Sequence, residues 1–263
     1  MRRLIVAVLM GVVGLASAQA AIKGEEVEYK AGNTVHKGYL VYDDAVTGKR
    51  PGVLVVHEWW GHNEHARNGA RKLAGAGYVA LALDMYGDGK RVDHPDQAGK
   101  FAGEVGKNLP LMKSRFGAGM KLLRKQAQVD GKRVAAIGYC FGGSVVLQMA
   151  REGENLRGVA SFHGGLATEH PAKAGKVKAR VLVLNGADDL MVPAEQIATF
   201  RKEMESAKVD YKFVSYPGAK HSFTNPEADA NGAKFNLPLA YNAKADQESW
   251  AELQSFLKLV FKN

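Results

Sequence analysis

The chain has 263 residues, of which 46% are hydrophobic and 24% charged, a composition typical of a soluble globular protein. Its net charge is +9, but the lysines and arginines are scattered, with neither a basic run nor an RNA-binding aromatic motif. We therefore expect a solvated basic surface and no nucleic-acid partner.

The first twenty residues read as a secretory signal peptide rather than as part of the fold. Arg2 and Arg3 make a basic start, an apolar stretch covers 4–15, and Ala18 and Ala20 each offer a cleavage point. The apolar stretch falls short of the ~20 residues that a membrane span needs, which makes an anchor the weaker interpretation. We expect a periplasmic or secreted mature protein without membrane insertion after cleavage.

Beyond the signal peptide, apolar runs and turn signals alternate along the chain. Strands are predicted at 27–29, 35–42, 53–56, 78–83, 134–137, 159–163, 180–184 and 211–216. Helices are predicted at 63–74, from 95 to about 105, at 109–126, after the turn at 138–142, after Pro193, and around 250–261, with loops at 168–177 and 222–241.

The first two strands are expected to pair antiparallel at an edge. From residue 53 onward, strands alternate with helices, which predicts a mostly parallel sheet with helices on both faces. No Pro/Ser/Gly-rich linker, charge block or internal repeat divides the sequence. The fold class is therefore α/β, and we expect residues 21–263 to form a single domain.

The stretch 133–149, RVAAIGYCFGGSVVLQM, has the pattern of a nucleophile elbow with cysteine in place of serine. Gly138 and Gly142 flank Cys140 and let strand and helix approach closely. The helix N-terminus beneath the thiol favours a thiolate and can stabilise an oxyanion. The alternative is an ordinary tight turn with a small buried cysteine.

Cysteine usage bears on the same question. Cys140 is the one cysteine in the chain, whereas exported proteins usually pair their cysteines in disulfides. An odd thiol in such a protein indicates either an intermolecular disulfide or a reactive group. Its place at an elbow favours the reactive group.

Four predicted strand ends carry reactive side chains, at Glu58, Cys140, Asp189 and His221. The last three follow the nucleophile–acid–histidine chain order of an α/β-hydrolase triad. A thiol needs a general base within hydrogen-bond reach, and His221 suits that role. A carboxylate on its other ring nitrogen would fix the ring, and at this point Asp188 competes with Asp189 for the task.

At these residues the chain resembles the dienelactone hydrolase family of α/β-hydrolases. The matching pieces are HEWWG at 57–61, GYCFGG at 138–143, GADDLMVP at 186–193 and AKHSF at 219–223, and they span essentially the whole mature chain. The resemblance implies the α/β-hydrolase fold and a hydrolase acting on a small ester or lactone.

The resemblance also implies roles for particular residues. It marks Cys140 as nucleophile and His221 as base, and it selects Asp189 because the family's triad acid stands three residues before the Val-Pro pair. In the family, the glutamate matching Glu58 lies beside the nucleophile and helps to generate or hold the thiolate. The residue-level alternative for Glu58 is a surface carboxylate at a strand end.

Supporting groups are predicted around these four. The backbone N–H of Phe141 and, by analogy with the family's strand-to-helix loop donor, that of Trp59 would hold the oxyanion. Four further residues could line a substrate pocket, although aromatic packing in the core is an equally open interpretation: Trp60, Tyr86, His163 and Phe223.

A metal site is the weaker interpretation of the histidines near Glu58. The H-E-x-x-H zinc motif needs histidines four residues apart on one helix, whereas His57 and His62 are five apart across a Trp-Trp-Gly turn, and His65 lies farther on. We expect no metal and no cofactor.

The sequence departs from the family where substrate specificity is decided. Members that cleave dienelactone hold its carboxylate with two arginines, and the matching positions here are Asp88 and Asn225. Losing guanidinium partners removes the obvious anchor for an anionic lactone. Lys90, Arg91 or Lys220 could compensate.

The prediction is thus a cysteine hydrolase that cleaves a small ester or lactone through a thioester. One alternative is a non-catalytic binding protein that retains the fold. Another is a thiol redox enzyme, which is disfavoured because the chain has no resolving cysteine. Neither the native substrate nor the oligomeric state can be read from the sequence.

Overall fold

The computed structural model describes residues 22–262, and the predicted signal peptide and its cleavage points lie outside them. Eight strands form one sheet in the order β1-β2-β4-β3-β5-β6-β7-β8. Their bounds are β1 Ile22–Ala31, β2 Thr34–Asp43, β3 Arg50–Val56, β4 Val79–Leu83, β5 Val129–Tyr139, β6 Gly158–Phe162, β7 Arg180–Gly186 and β8 Tyr211–Tyr216.

Seven helices accompany the sheet in the described part of the chain. They are α1 Glu64–Gly75, α2 Pro95–Gly106, α3 Leu109–Arg124, α4 Phe141–Arg151, α5 Ala194–Ser206, α6 Ala228–Phe235 and α7 Ala243–Phe261. Asn108 and Asn242 cap the N-termini of α3 and α7, each side chain accepting a backbone N–H three residues on.

Most neighbouring strands in the sheet run parallel, and their central residues are apolar. β1 pairs antiparallel with β2, and β2 antiparallel with β4, whereas every pair from β4 to β8 is parallel. Continuous apolar runs such as 53–56 are fully buried because helices cover both faces of the sheet. The expected mostly parallel α/β-hydrolase sheet is confirmed.

Alternation along each strand sends neighbouring side chains into two separate cores. Leu54 and Val56 join the core under α3, α4 and α5, whereas Val53 and Val55 join the one under α1 and α7. The carboxyl ends of the parallel strands then meet along one edge of the sheet, where loops carry the candidate site.

One expectation about secondary structure is wrong. Residues 222–241 are not all loop, because α6 lies within them. Its buried residues are Ala228 and Gly232, and a Cβ on Gly232 would lie 2.7 Å from the carbonyl oxygen of Leu239. Small buried residues produce no apolar periodicity, so the sequence pattern did not reveal this helix.

Between residues 22 and 262, no helix combines the length and apolar character that crossing a membrane requires.

Candidate active site

Cys140 lies at the sharp turn between β5 and α4. Its backbone has φ +53° and ψ −115°, a left-handed conformation that is strained for a residue other than glycine. A Cβ on Gly138 would lie 2.0 Å from the carbonyl oxygen of Gly142, and one on Gly142 would lie 2.3 Å from that of Val56. Only glycines permit this approach, and the half-buried Cys140 stands at its apex.

Asp189 and His221 form the buried pair beside this turn. The Nδ1 atom of His221 donates to Oδ2 of Asp189 at 2.9 Å, and both side chains are almost inaccessible to solvent. The second carboxylate oxygen, Oδ1, accepts the backbone N–H of Met191 at 2.8 Å. Asp188 is exposed, so the structure places Asp189 and not its neighbour on the imidazole.

The other ring nitrogen of His221 is left for the nucleophile. Nε2 is buried and makes no hydrogen bond with any described residue. Burial lowers the pKa of His221, but the negative charge of a nearby Cys140 thiolate and the hydrogen bond to Asp189 outweigh it and raise the pKa to about 10. The ring of His221 is therefore held mainly in its charged form at neutral pH.

Glu58, at the end of β3, is fully buried and held by the loop that follows His221. Its Oε1 accepts the hydroxyl of Ser222 at 2.8 Å, and its Oε2 accepts the side-chain amide of Asn225 at 2.6 Å. The amide oxygen of Asn225 accepts the N–H of Glu227 at 3.0 Å, which fixes the NH₂ group toward Glu58. Both carboxylate oxygens of Glu58 are thus committed to neutral donors.

The two predicted oxyanion donors are the residue that directly follows the nucleophile and a residue at the end of the neighbouring strand. Phe141 is the first residue of α4, and Trp59 follows the end of β3, the strand that pairs with β5. Neither backbone N–H donates to another described residue. Tyr86 donates its hydroxyl to the carbonyl of Trp59 at 2.9 Å and so holds the peptide between Trp59 and Trp60, directly after the donor. Both donors are free to bind a developing negative charge.

The four residues predicted as pocket walls are all buried in the structure: Trp60, Tyr86, His163 and Phe223. None of them lines the cavity that opens beside Phe141. They support the backbone around the nucleophile instead, as Tyr86 does for Trp59.

His163 illustrates this supporting role. Its Nδ1 accepts the backbone N–H of Cys140 at 3.1 Å, and its Nε2 contacts the hydroxyl of Thr224 at 2.8 Å. Burial, together with the charges of His221 and His65, holds its pKa well below the usual value. A neutral ring is required here, because only an unprotonated Nδ1 can accept the Cys140 N–H.

Of the histidines near Glu58, His57 has protein partners at both ring nitrogens. Nδ1 of His57 contacts the carbonyl oxygen of Glu58 at 2.5 Å, and Nε2 accepts the N–H of Met85 at 3.1 Å. Burial lowers the pKa of His62 to about 3. No group of three or more His, Cys, Asp or Glu side chains within residues 22–262 is arranged to hold a metal ion.

Asp88 and Asn225, which stand where the family has its two carboxylate-binding arginines, have different surroundings. Asp88 is exposed and pairs with Lys90 at 3.2 Å, whereas Asn225 is buried against Glu58. The sequence noted Asn225 only as a missing arginine and did not identify Ser222 or Thr224 as parts of the site. The one available signal was their position directly after His221.

Comparisons with protein families, with known sequences and with solved structures point to the same family. The model of the dienelactone hydrolase family matches residues 36–261. A 28% identical protein of Yersinia pestis, provisionally named a carboxymethylenebutenolidase, covers 82% of this chain and 80% of its own length.

Two solved structures are more similar in sequence. The dienelactone hydrolase-like promiscuous phosphotriesterase P91, from metagenomic libraries, is 37% identical with a TM-score of 0.84 over 91% of this chain and 99% of its own. The protein m3DLH is 39% identical with a TM-score of 0.87 over 92% of this chain and all of its own.

Proposed function

The chain belongs to the dienelactone hydrolase family and is a hydrolase of that type, and we propose that it cleaves a small ester or lactone through a thioester on Cys140. The observation that carries the proposal is the buried 2.9 Å contact between His221 and Asp189 at the strand ends beside the Cys140 elbow. A small-molecule ester as substrate class follows from the family.

The first half of the reaction makes the acyl-enzyme. The Cys140 sulfur attacks the carbonyl carbon, and the carbonyl oxygen takes up the electron pair as an oxyanion held by the N–H groups of Phe141 and Trp59. Collapse of this intermediate breaks the ester C–O bond, and the imidazolium of His221 gives its proton to the departing alkoxide. The products of this half are an alcohol and a thioester.

The second half returns the enzyme to its starting state. Neutral His221 removes a proton from water, and the resulting hydroxide attacks the thioester carbonyl. The C–S bond breaks, the carboxylic acid leaves, and the sulfur is again a thiolate beside an imidazolium. Asp189 keeps the ring oriented with Nε2 toward the reacting atoms and stabilises the charged form.

We propose that Glu58 positions the loop that follows the catalytic histidine. Ser222 and Asn225 donate to its two carboxylate oxygens, so this buried side chain holds residues 222–225 directly after His221.

The direct test is Cys140→Ala assayed on small aryl esters. We expect kcat/KM to fall by a factor on the order of 10⁶, because the nucleophile of such a triad works as a unit with its base. Undiminished hydrolysis by this variant would contradict the mechanism. A purified wild-type chain that turns over no ester or lactone would favour the alternative, a binding protein that retains the fold.

We further propose that the protein is exported, on the strength of the basic start and apolar stretch in its first twenty residues. Fractionation of expressing bacteria should recover a shortened protein outside the cytoplasm, with an N-terminus near residue 19 or 21. Recovery of full-length protein in the cytoplasm would contradict export.

A further inference from the structure

A cavity of about 350 Å³ opens beside the Cys140 elbow, at the lower end of the size range of small-molecule sites. Its walls come from the α2–α3 junction, the outer side of α4 and the loop after β6. The residues that decide its chemistry are Leu109, Met112, Phe141, Val145, Gln148 and Thr168.

Three polar side chains of this wall, Ser144, Gln148 and Thr168, already have partners within the protein. Gln148 donates to the carbonyl of His170 at 3.2 Å and accepts the hydroxyl of Thr168 at 2.7 Å. Ser144 donates its hydroxyl to the carbonyl of Gly165 at 3.0 Å. An occupant therefore need not supply hydrogen bonds, and the surface that it would meet is that of Leu109, Met112 and Val145.

The rim of the cavity carries one charge of each sign. Lys107 and Glu169 are both exposed there, and the site has no buried guanidinium. The rim thus offers no net charge to attract an ionised substrate. This agrees with the loss of the two family arginines at positions 88 and 225.

The placement of the catalytic groups decides which part of an ester would enter. Phe141, whose N–H is the proposed oxyanion donor and which directly follows Cys140, lines the cavity, whereas Cys140, His221 and Asp189 do not. The leaving alkoxide must lie on the side of His221, which protonates it. The other substituent of the carbonyl carbon, the acyl chain, is therefore directed away from His221 and toward the cavity.

We propose that this cavity binds the acyl chain of the substrate and makes the protein selective for uncharged esters of medium-length aliphatic acids. The inference rests on the proposed function, because it assumes that Cys140 attacks the ester carbonyl. Selectivity arises from burial of methylene groups against apolar side chains, each worth about fourfold in the specificity constant.

The experiment compares p-nitrophenyl acetate, butyrate, hexanoate and octanoate, with the half-ester of adipic acid as the charged analogue. For the wild type, kcat/KM should rise from acetate to hexanoate by a factor on the order of 100, and the charged analogue should gain far less. Leu109→Trp, which places an indole in the cavity, should remove that rise while leaving the acetate rate within about threefold. Leu109→Ala should move the optimum to a longer chain.

The matched control is Leu111→Trp, on the same turn of α3 but outside the cavity. It should leave the chain-length profile unchanged. An identical flattening in both tryptophan variants, or a wild-type profile that does not depend on chain length, would overturn the cavity proposal.

A second readout separates failure of the cavity from failure of hydrolysis. Iodoacetamide and its N-hexyl derivative alkylate Cys140 by displacing iodide, which requires the thiolate but no ester turnover. The hexyl reagent should react faster with the wild type, and Leu109→Trp should remove that advantage. If this pattern holds while no ester is hydrolysed, the proposed function fails and the cavity stands. Equal rates for both reagents in the wild type would overturn the cavity.

Discussion

Two buried carboxylates lie at the ends of neighbouring strands, and they are held in opposite ways. Asp84, after β4, accepts four backbone N–H groups: Oδ1 accepts those of Tyr86 and Gly87, and Oδ2 those of Lys37 and Gly89, at 2.8–3.1 Å. Burial raises the pKa of Asp84, but these backbone hydrogen bonds outweigh it and lower the pKa.

Glu58, after β3, has two donors among residues 22–262, and both belong to side chains of the loop after β8. Around it stand the other members of what we call the reactive cluster: Cys140, Asp189 and His221. Here the backbone of Cys140 is strained and one nitrogen of His221 is unpaired. The turn at Asp84 is fully satisfied, whereas the reactive cluster leaves groups available for a substrate.

Along this edge of the sheet, the turn at Asp84 therefore contributes to the stability of the fold, whereas the reactive cluster carries out the proposed reaction. Backbone donors cannot rotate away, so the carboxylate of Asp84 fixes the turn after β4 and ties it to β2 through Lys37. Side-chain donors and unpaired nitrogens can exchange partners during a reaction at small structural cost. Substitutions in the two regions should therefore change different measured quantities.

The largest effect is expected from Asp189→Asn in the reactive cluster. The amide can no longer hold His221 with its proton on Nδ1, so kcat should fall by about 10⁴. The unfolding free energy should change far less, since the substitution is nearly isosteric. Kinetics on an aryl ester and urea unfolding of the same samples measure both. The exposed neighbour in Asp188→Asn serves as the control, with nearly wild-type activity.

Asp84→Ala should do the reverse. It leaves four backbone N–H groups without their acceptor, at roughly 1 kcal/mol each, so we expect a loss of about 4 kcal/mol in unfolding free energy. The rate per folded molecule should stay within about tenfold of the wild type. Asp88→Asn, in the same turn but exposed, keeps a side chain suited to the positive φ of residue 88 and should cost less than about 0.5 kcal/mol. If Asp84→Ala lost most of its kcat but none of its unfolding free energy, the proposed difference between the two regions would be wrong.

Asn225→Leu tests whether a side-chain donor holds Glu58. One buried carboxylate oxygen would lose its partner, at a cost of about 2 kcal/mol in unfolding free energy. In a Glu58→Leu background, the same substitution should cost much less. A double-mutant cycle by urea unfolding measures the coupling between the two side chains. Additive effects would mean that the contact contributes nothing.

The raised pKa of His221 predicts a pH dependence for alkyl esters, whose leaving groups need a proton. The ring is charged below its pKa of about 10, so kcat/KM should fall about tenfold per pH unit above that value. In Asp189→Asn the fall should begin at lower pH, because the hydrogen bond that raises the pKa is weakened. A decline that begins at the same pH in both proteins would exclude Asp189 from this role.

The smallest effect concerns the strained elbow. Cys140→Gly relieves a left-handed backbone, which we expect to stabilise the fold by about 1 kcal/mol after the entropy cost of glycine. Activity should be abolished. Cys140→Ala keeps the strain and should show no such gain in urea unfolding, which makes it the matched control.

The sequence predicted most of the fold because the central parallel strands carry short apolar runs separated by helical segments and turns. Apolar runs such as 53–56 and 180–184 leave little doubt about which segments are central strands. Helix α6 was not predicted because its buried face consists of alanine and glycine, which give no apolar periodicity. Strand β1 proved longer than the predicted 27–29, since its exposed residues carry no apolar signal but pair fully with β2.

The residues of the candidate site also fall into those that the sequence could predict and those that it could not. Chain order and strand ends were enough to predict Cys140, His221 and an acid at 188 or 189, and the resemblance to the family selected Asp189. The partners of Glu58 were not, because Ser222 lies 164 positions away and its hydroxyl reaches Glu58 only through the path of the loop after β8. Aromatic residues such as Trp60 and Phe223 could equally line a pocket or a core, and they are buried in the structure.

The most direct test of the central claim is to trap the acyl-enzyme. Mixing His221→Ala with p-nitrophenyl acetate, followed by mass spectrometry of the intact protein and its peptides, asks which atom carries the acyl group. The account predicts one acetyl group per chain, on the peptide that contains Cys140, removable by hydroxylamine and absent from a variant that also carries Cys140→Ala. An acetyl group on a serine, or on the same peptide after Cys140 is removed, would contradict it.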